Sequence, residues 1–240
     1  MKLIVFQTTP RLVFLSDKKV FKFFNSPIEC KEEVDIIKSS PLLNVFDDIS
    51  GFNMKFIELI SVEETHYTMK FIDGHQLNKS SSINNYKLAG NWLRCFHNLT
   101  YEEYENKAFL FGDFSTGHIY VNIDKKELTT IDPGTGFGKI DFIEYDIARF
   151  IVDLLQSHSL NIFYLNQQIE NFLSGYSYKN LDYDRLISII FSRINRNFEK
   201  RIKLDSGLKR YLSASYWYIN SKFKFLYIKN KLTGIIKNEK

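Results

Sequence analysis

Two aspartates stand where short apolar runs end, and both could carry chemistry. Asp113 lies in "LFGDFSTGHIYVN" (110–122), and Asp132 lies in "TIDPGTG" (130–136). A carboxylate in a polar loop could accept a proton from a substrate hydroxyl. A carboxylate at the point where a strand enters a turn could hold Mg²⁺, which commonly takes one or two protein carboxylates together with substrate phosphates. Each aspartate taken alone could equally be an Asx-type cap of its turn.

A lysine on an apolar strand is a third candidate. Lys22 lies among phenylalanines in "KVFKFFN" (19–25), where strand alternation puts it on one face with Val20 and Phe24. A buried ammonium group is costly unless an anion pairs with it. The helix predicted next supplies three carboxylates, those of Glu29, Glu32 and Glu33. The residues alone leave open whether Lys22 pairs with one of these or faces solvent at an edge of the sheet.

The first third of the chain is predicted to be rich in strands. Short apolar runs alternate with polar turns between residues 2 and 24, which is typical of a β-meander. The segment "SPIECKEEVDIIKSS" (26–40) predicts a helix, because a serine stands at the capping position and a proline at the first helical position. Two further strands are predicted at 54–60 and 65–72, before the turn "DGHQLN" (73–78).

Helical patterns dominate the rest of the chain. Apolar residues at helical spacing predict a helix at 83–99. Three short strands are predicted next, at 109–111, 118–123 and 127–132. From residue 142 onward every long segment has the periodicity of a helix.

The order of these elements predicts a two-lobed α+β fold. Residues 1–75 would form a small, β-rich lobe and residues 76–240 a larger helical lobe. A composition of 44% apolar and 16% aromatic residues in a chain of 240 favours packed lobes over a disordered chain. Because small ligands commonly bind in a cleft between lobes, we expect the functional site there.

The remaining bulk features exclude several classes. Two cysteines, Cys30 and Cys95, are too few for a disulfide framework or a zinc cluster, and we expect buried thiols. The first apolar run is too short for a signal peptide, and nowhere do eighteen apolar residues run together. We therefore expect a cytoplasmic protein without a transmembrane span.

The C-terminal segment 221–240 is distinctly basic. It carries six lysines and one acidic residue, interleaved with phenylalanine, leucine, tyrosine and isoleucine, in a chain of net charge +4. Such a segment is commonly a solvated helix face. It could also contact an anionic surface, either membrane headgroups or a phosphorylated substrate. Peripheral membrane contact therefore stays an open alternative.

The candidates occur in an order that is typical of ATP-dependent phosphoryl transfer: strand lysine, helix glutamate, two strands, a turn, a helix, a loop aspartate, a strand and a second aspartate. The chain resembles the protein-kinase-like superfamily, and within it the aminoglycoside phosphotransferase and choline kinase branch. That branch typically reads HGDxxxxN, then IDxx, then a yDLA helix. The corresponding segments here are "FGDFSTGH", "TIDPGTG" and "EYDIARF". The resemblance extends from about residue 10 to residue 155.

The resemblance implies an enzyme that uses ATP and Mg²⁺, and it implies a role for each matching residue. Asp113 would orient the acceptor hydroxyl and take its proton. Lys22 would hold the α- and β-phosphates, positioned by Glu33 or by another carboxylate of the same helix. Asp132 would bind the Mg²⁺ that bridges the phosphates.

Further positions follow from the same resemblance. "MKFIDGHQL" is similar to the hinge that faces adenine through its backbone, which here would be formed by Lys70, Phe71 and Ile72. Asp146 in "EYDIARF" matches a position that anchors the catalytic loop and is mainly structural.

Three features depart from the family pattern. Phe111 stands where a histidine usually precedes the Gly-Asp pair, and His118 stands where an asparagine coordinates a second metal ion. His118 would either substitute as a metal ligand or pack under the loop, since Mg²⁺ prefers oxygen ligands. The turn that would cover the phosphates, "QTTPR", has no glycine, so Thr8 and Thr9 hydroxyls and the Arg11 charge would replace backbone contacts.

These features predict a small-molecule kinase that phosphorylates a hydroxyl group. Residues 160–240 are rich in lysine, arginine, tyrosine and asparagine, which suits a sugar, a cell-surface glycan precursor or an anionic acceptor better than an aminoglycoside-like cation. The alternative is a pseudokinase that binds nucleotide or a partner without turnover. No segment resembles a protein-kinase activation segment, and we expect no nucleic-acid partner. The oligomeric state is left open.

Overall fold

The computed structural model of the chain describes residues 4–8, 11–39, 44–78, 81–134, 137–157, 161–177, 181–203 and 208–238. Strands dominate the first half of these ranges, and most of them are short. They are β1 Ile4–Thr8, β2 Arg11–Ser16, β3 Lys19–Phe23, β4 Asn44–Asp47, β5 Phe52–Phe56, β6 Leu59–Val62, β7 His66–Lys70, β8 His75–Gln76, β9 Lys107–Phe109, β10 Ile119–Asn122, β11 Glu127–Thr130 and β12 Ile140–Phe142.

Helices dominate the second half. The described helices are α1 Pro27–Lys38, α2 Ile83–Asn98, α3 Glu144–Ser157, α4 Ile162–Tyr176, α5 Tyr183–Lys203 and α6 Leu208–Asn238. The predicted start of α1 is confirmed, because Ser26 accepts from the Glu29 amide at 3.3 Å and Pro27 is the first helical residue. The two-lobed α+β class is likewise confirmed.

The first sheet places Lys22 on an inner strand. Its order is β1-β2-β3-β7-β6, and all of its pairings are antiparallel. Lys22 on β3 lies between Val13 of β2 and Tyr67 of β7. The alternative of a solvent-facing edge lysine is therefore wrong, because β3 has a neighbour on both sides. Helix α1 packs against β7, and its Glu33 carboxylate accepts from Lys22 of the neighbouring strand β3.

The second sheet connects the two halves of the chain. Its order is β4-β5-β11-β10-β8, with β5 parallel to β11. The single strand predicted at 54–60 is wrong: β5 ends at Phe56 and β6 begins at Leu59, in a different sheet. The chain changes partners at this point, since the Ile57 amide still donates to Thr130 while the Glu58 carbonyl accepts from Lys70. The division at residues 75 and 76 remains a prediction.

Two helices of the larger part pack at very short range. Helices α2 and α4 approach each other through two glycines, Gly90 and Gly175. A Cβ atom on Gly90 would lie 2.0 Å from the Phe172 carbonyl oxygen, and one on Gly175 would lie 2.0 Å from the Lys87 carbonyl oxygen. Because such a contact is impossible for any side chain, these positions require glycine.

The remaining predictions about bulk features are tested by burial. Cys30 is a buried thiol and Cys95 a half-buried one, and both are unpaired. Burial raises the pKa of the Cys95 thiol to about 11. Among the described helices, none combines the length and apolarity needed to cross a bilayer.

Candidate active site

Lys22 lies at the centre of a buried polar cluster. Only 5% of the residue is exposed. Its Nζ donates to Oε1 of Glu33 at 2.7 Å and also to the carboxylate of Asp132. The Tyr67 hydroxyl donates to the same Glu33 oxygen at 2.6 Å. The cluster thus satisfies the buried ammonium with two carboxylates that are distant in sequence.

The loop that carries Asp113 is fastened to one face of α3. Asp146 accepts from the backbone amides of Phe111 and Gly112, at 2.6 and 2.8 Å, through its two oxygens. His97 from α2 contacts the same carboxylate at 3.1 Å. The anchoring role expected for Asp146 is therefore confirmed by its contacts, because its carboxylate satisfies two backbone amides of the loop.

Asp113 itself is oriented by an arginine. The Nε atom of Arg149 donates to Oδ1 of Asp113 at 2.5 Å, and both side chains are partly exposed to the cavity. A charge-assisted bond of this kind fixes the carboxylate in position. The contact occupies Oδ1 and leaves Oδ2 as the oxygen that could accept a proton from a bound hydroxyl.

The turn that carries Asp132 lies directly against that loop. Asp132 has a positive φ of 52°, a conformation that aspartate adopts more readily than most residues. The Gly134 amide donates to the Phe111 carbonyl at 3.0 Å. A Cβ on Gly134 would lie 2.6 Å from the Asp113 amide nitrogen, so only glycine allows this approach. The turn and the loop therefore present Asp132 and Asp113 side by side.

A cavity of about 750 Å³ collects these groups. Asp113, Asp132, His118 and Glu33 all line it, and Lys22 reaches it through its two carboxylate partners. Helix α5 contributes cationic and amide side chains to the cavity lining. These are Arg193, Arg196, Asn197 and Lys200. The candidate catalytic residues thus converge on one space large enough for small molecules.

Comparison with solved structures identifies this architecture. An amicoumacin kinase in complex with AMP-PNP, Ca²⁺ and Ami matches with a TM-score of 0.61 at 10% identity, over 92% of this chain and 88% of that one. An aminoglycoside phosphotransferase in complex with GDP and kanamycin matches with a TM-score of 0.60 at 12% identity, over 92% and 93%. A choline/ethanolamine kinase family protein from Mesorhizobium loti matches with a TM-score of 0.59 at 9% identity, over 99% and 93%.

The chain has the protein-kinase-like fold. The resemblance to the small-molecule branch of this superfamily is confirmed at the level of structure. No protein-family model matches the sequence, and no curated protein matches it. The loop around Asp113 is called the catalytic loop below, as the name of a candidate site.

Phe111 replaces the usual histidine of the catalytic loop with an aromatic contact. Its ring is fully buried and packs edge-on against Trp92, Phe56 and Phe114, with centroids 5.5 to 5.9 Å apart. Such edge-to-face packing stabilises aromatic clusters. Phe111 therefore supports the loop by packing, as expected for a scaffold position.

His118 is packed against the catalytic loop and still lines the cavity. Its Nδ1 lies 3.0 Å from the carbonyl oxygen of Asp113. A carbonyl can only accept, so Nδ1 carries a proton, and Nε2 is the ring nitrogen that could serve as a ligand. The Ile131 amide donates to the His118 carbonyl at 2.9 Å, which places His118 next to the Asp132 turn. Both alternatives weighed for this residue, packing and ligation, are compatible with this geometry.

The predicted hinge lies outside the cavity lining within the described residues. Lys70 ends β7, and the Phe71 amide donates to the Lys18 carbonyl at 2.9 Å. Neither of these residues nor Ile72 lines the cavity in the described part of the chain. Thr8 is the last residue of β1, its side chain is outside the described part, and Thr9 falls outside the described residues altogether. Their roles remain predictions.

Two positioning residues escaped the sequence reasoning. Arg149 contacts Asp113, and Asp153 accepts from both the amide and the hydroxyl of Thr116 at 2.9 and 2.6 Å. Together with Asp146 they lie at i, i+3 and i+7 on α3, which is one face of a helix. That spacing in "EYDIARFIVDLL" is the signal that could have found them.

Proposed function

We propose that the chain is a phosphotransferase that transfers the γ-phosphoryl group of ATP to a hydroxyl of a small molecule. We further propose a sugar or a cell-surface glycan precursor as the acceptor. The observation that supports this function best is the convergence of Asp113 and Asp132 on one cavity, with Lys22 bonded to both Glu33 and Asp132. Phosphoryl transfer depends mainly on positioning and charge stabilisation, and this cluster supplies both.

Asp113 acts as the base in this proposal. The acceptor hydroxyl donates its proton to the free Oδ2, while Arg149 holds Oδ1. The hydroxyl oxygen attacks the γ-phosphorus, the bond to the β-phosphate oxygen breaks, and ADP leaves with the electron pair. The products are a phosphate ester and ADP.

Lys22 and Asp132 hold the nucleotide phosphates. The Lys22 ammonium, oriented by Glu33, contacts the α- and β-phosphate oxygens. Asp132 would hold Mg²⁺, with Nε2 of His118 as a second ligand, and the ion would neutralise charge on the transferred group. Within the described residues no group of three or more His, Cys, Asp or Glu side chains could form a complete metal cage. That fits an ion held largely by the phosphates and water.

The cavity wall supports a hydroxylated acceptor. Tyr145, Gln156 and Asn197 line it and supply hydrogen-bonding groups of the kind that bind sugar hydroxyls. Solved structures of the same fold hold kanamycin or streptomycin, which supports a small hydroxylated molecule as the acceptor class.

The experiment is a coupled measurement of ADP formation and ester formation. Purified protein is incubated with ATP and Mg²⁺ against a panel of monosaccharides and glycan fragments, with Asp113→Asn as the matched inactive variant. We expect acceptor-dependent ADP release with one ester formed per ADP, absent in the variant. Nucleotide-induced thermal stabilisation without any acceptor-dependent ADP would contradict the proposal.

A pseudokinase is the second candidate, and one observation favours it. Asp113 is bonded through its side chain to Arg149 and through its carbonyl to His118, so the base is held from both sides. A protein that only binds nucleotide would tolerate this arrangement. Retention of ATP binding with no turnover in wild type and no rate gain in Arg149→Lys would support this second candidate.

A further inference from the structure

Three cations on α5 face the cavity from one side. Arg193, Arg196 and Lys200 are spaced at i, i+3 and i+7, which places them on a single face of the helix. All three line the cavity that holds Asp113. Arg149 faces the same space from α3. The cavity therefore has one wall on which four positive charges meet.

Arg149 is paired with Asp113, but within the described residues no ion pair neutralises Arg193, Arg196 or Lys200. The Nε atom of Arg193 is buried there without a hydrogen-bond partner. Burial is the main factor that lowers the pKa of Arg193, and repulsion from Arg196 and Arg149 adds to it, while attraction to Asp146 and Asp113 opposes the shift. Gathering like charges around a guanidinium whose Nε is buried and unpaired lowers stability, so a complementary anion is the natural occupant of this wall.

Carboxylates line the same cavity. They are Glu29, Glu32 and Glu33 of α1 together with Asp113, Asp132, Asp141 and Asp146. An acceptor with one anionic group would place that group against the α5 cations and a hydroxyl against Asp113.

We propose that the α5 wall is an oxyanion subsite for the acceptor, so that the phosphorylated molecule already carries a carboxylate or a phosphate. The inference rests on the proposed function and narrows its acceptor class. Arginine is suited to this task because its planar fork binds both oxyanions in a bidentate manner. Arg193 and Arg196 are the specificity residues, with Lys200 as an outer contact.

The test compares Arg196→Gln with Lys203→Gln. Both positions are exposed cations on α5, each change removes one charge, and only Arg196 lines the cavity. Thermal shifts are measured without nucleotide, at constant ionic strength, with sulfate and with four hexoses: glucose, glucosamine, glucuronate and glucose 6-phosphate. Arg193→Gln is the second variant, and the shift with ATP and Mg²⁺ is recorded for every protein.

We expect sulfate, glucuronate and glucose 6-phosphate to stabilise wild type and Lys203→Gln, with the shift at least halved in Arg196→Gln and lost in Arg193→Gln. A larger shift with glucose 6-phosphate than with glucuronate assigns a phosphate, and the reverse assigns a carboxylate. Without added anion, Arg196→Gln should melt at a higher temperature than wild type in low salt, because repulsion is relieved.

Stabilisation by glucosamine alone, equal anion shifts in all variants, or no shift with any anion would overturn the subsite. If wild type shows no thermal shift with ATP and Mg²⁺ but shows the expected shifts with the anions, the proposed function would be contradicted and the subsite would not. If wild type is stabilised by ATP and Mg²⁺ but the anion-induced shifts are the same in Arg196→Gln as in wild type, only the subsite would be contradicted.

A second, independent feature is an apolar stripe on α6. Leu212, Tyr216, Ile219, Phe223 and Leu226 are 59 to 67% exposed. They are spaced four and three residues apart in alternation, so they lie along one face of the helix. The opposite face of α6, which includes Phe225 and Ile228, is buried against the rest of the lobe.

The charge of α6 indicates what covers this stripe. Residues 208–238 contain seven lysines and arginines and no acidic residue. One of the seven, Lys224, is buried and donates to the Leu155 carbonyl, so it does not contribute to the surface charge. A second copy of the helix would bring two sets of cations together without compensating carboxylates, which disfavours pairing. An anionic lipid surface complements the charge and accepts the aromatic and aliphatic side chains. We infer that α6 is a peripheral membrane-binding surface.

Vesicle cosedimentation tests this surface. Wild type is compared with Phe223→Gln on the stripe. Phe163→Gln, the same change at a 75% exposed position on α4, is the control. We expect partitioning to phosphatidylglycerol-containing vesicles but not to pure phosphatidylcholine, weakened by salt, and at least tenfold weaker in Phe223→Gln only. Equal behaviour of both variants, absence of vesicle binding, or a dimer that Phe223→Gln dissociates without any vesicle binding would overturn it.

Discussion

The Nε atom of Arg149, on α3, donates to Oδ1 of Asp113 at 2.5 Å, so an arginine holds the candidate base in position. The same face of α3 fastens the loop backbone through Asp146. Arg149 is therefore a positioning residue: it orients the carboxylate that the acceptor hydroxyl must reach.

Replacing Arg149 by glutamine should lower kcat and leave KM for ATP unchanged. We expect a loss of about tenfold to a hundredfold, the size associated with misplacement of a catalytic group by about an ångström. Arg149→Lys keeps the charge and should recover part of the rate. Steady-state kinetics at varied ATP separates the two parameters, and a change in KM for ATP with constant kcat would assign Arg149 to nucleotide binding instead.

Lys22→Met should weaken nucleotide binding and destabilise the fold. Lys22 and Glu33 are both nearly buried, and removal of one partner leaves the other charge desolvated. We expect the free energy of unfolding to fall by about 3 kcal/mol and the thermal shift with ATP and Mg²⁺ to disappear. Urea unfolding measures the first effect. Lys55→Met is the matched control, because the Lys55–Glu127 pair is partly exposed and should cost less than about 1 kcal/mol.

Asp146→Asn should disturb the catalytic loop without touching the nucleotide. Whichever way the amide turns, its NH₂ group faces a backbone amide of Phe111 or Gly112, so one donor loses its acceptor. We expect the free energy of unfolding to fall by about 2 kcal/mol and kcat to fall with it. Asp124→Asn in the exposed turn after β10 serves as the control, and equal stability of the two variants would contradict the anchoring role.

Glu144 gives a prediction about pH. Its side chain is fully buried, and burial raises its pKa above the ordinary 4.5, against the opposing effect of hydrogen bonds and of Arg185. The folded protein then binds the proton more tightly than the unfolded chain, so this group's contribution to stability falls as the pH rises from about 4.5 through the raised pKa. Glu144→Gln should therefore be more stable relative to wild type at pH 7 than at pH 4. Urea unfolding at both pH values checks this, and a variant that loses stability at pH 7 only would show that the ion pair with Arg185 outweighs burial.

Much of the site was predictable because its residues come from local patterns in a particular order. Strand alternation predicted the position of Lys22, and the helix cap predicted the helix that carries its glutamate partner. The order of the motifs predicted that Asp113 and Asp132 belong to the same site. The close approach of Gly134 to the catalytic loop gives the glycine of "TIDPG" a physical reason that the sequence pattern only implied.

Other features depend on contacts that no local pattern records. The parallel pairing of β5 with β11 joins residues more than seventy positions apart, so the break between β5 and β6 could not be read from an apolar run. Arg193, Arg196 and Lys200 have the spacing of an ordinary solvated helix face, and only the packing of α5 against α3 turns that face toward the cavity. In the sequence, Arg149 is likewise only one polar position of an amphipathic helix. Its contact with Asp113 depends on how the loop packs against α3.

The role of Asp113 is tested most directly by Asp113→Asn. Acceptor-dependent ADP formation and the thermal shift with ATP and Mg²⁺ are measured on the same preparations of variant and wild type. We expect turnover to fall by about a hundredfold or more, the usual contribution of a general base, while the nucleotide-induced shift persists. Turnover equal to wild type in Asp113→Asn, with nucleotide still bound, would contradict the catalytic role of Asp113.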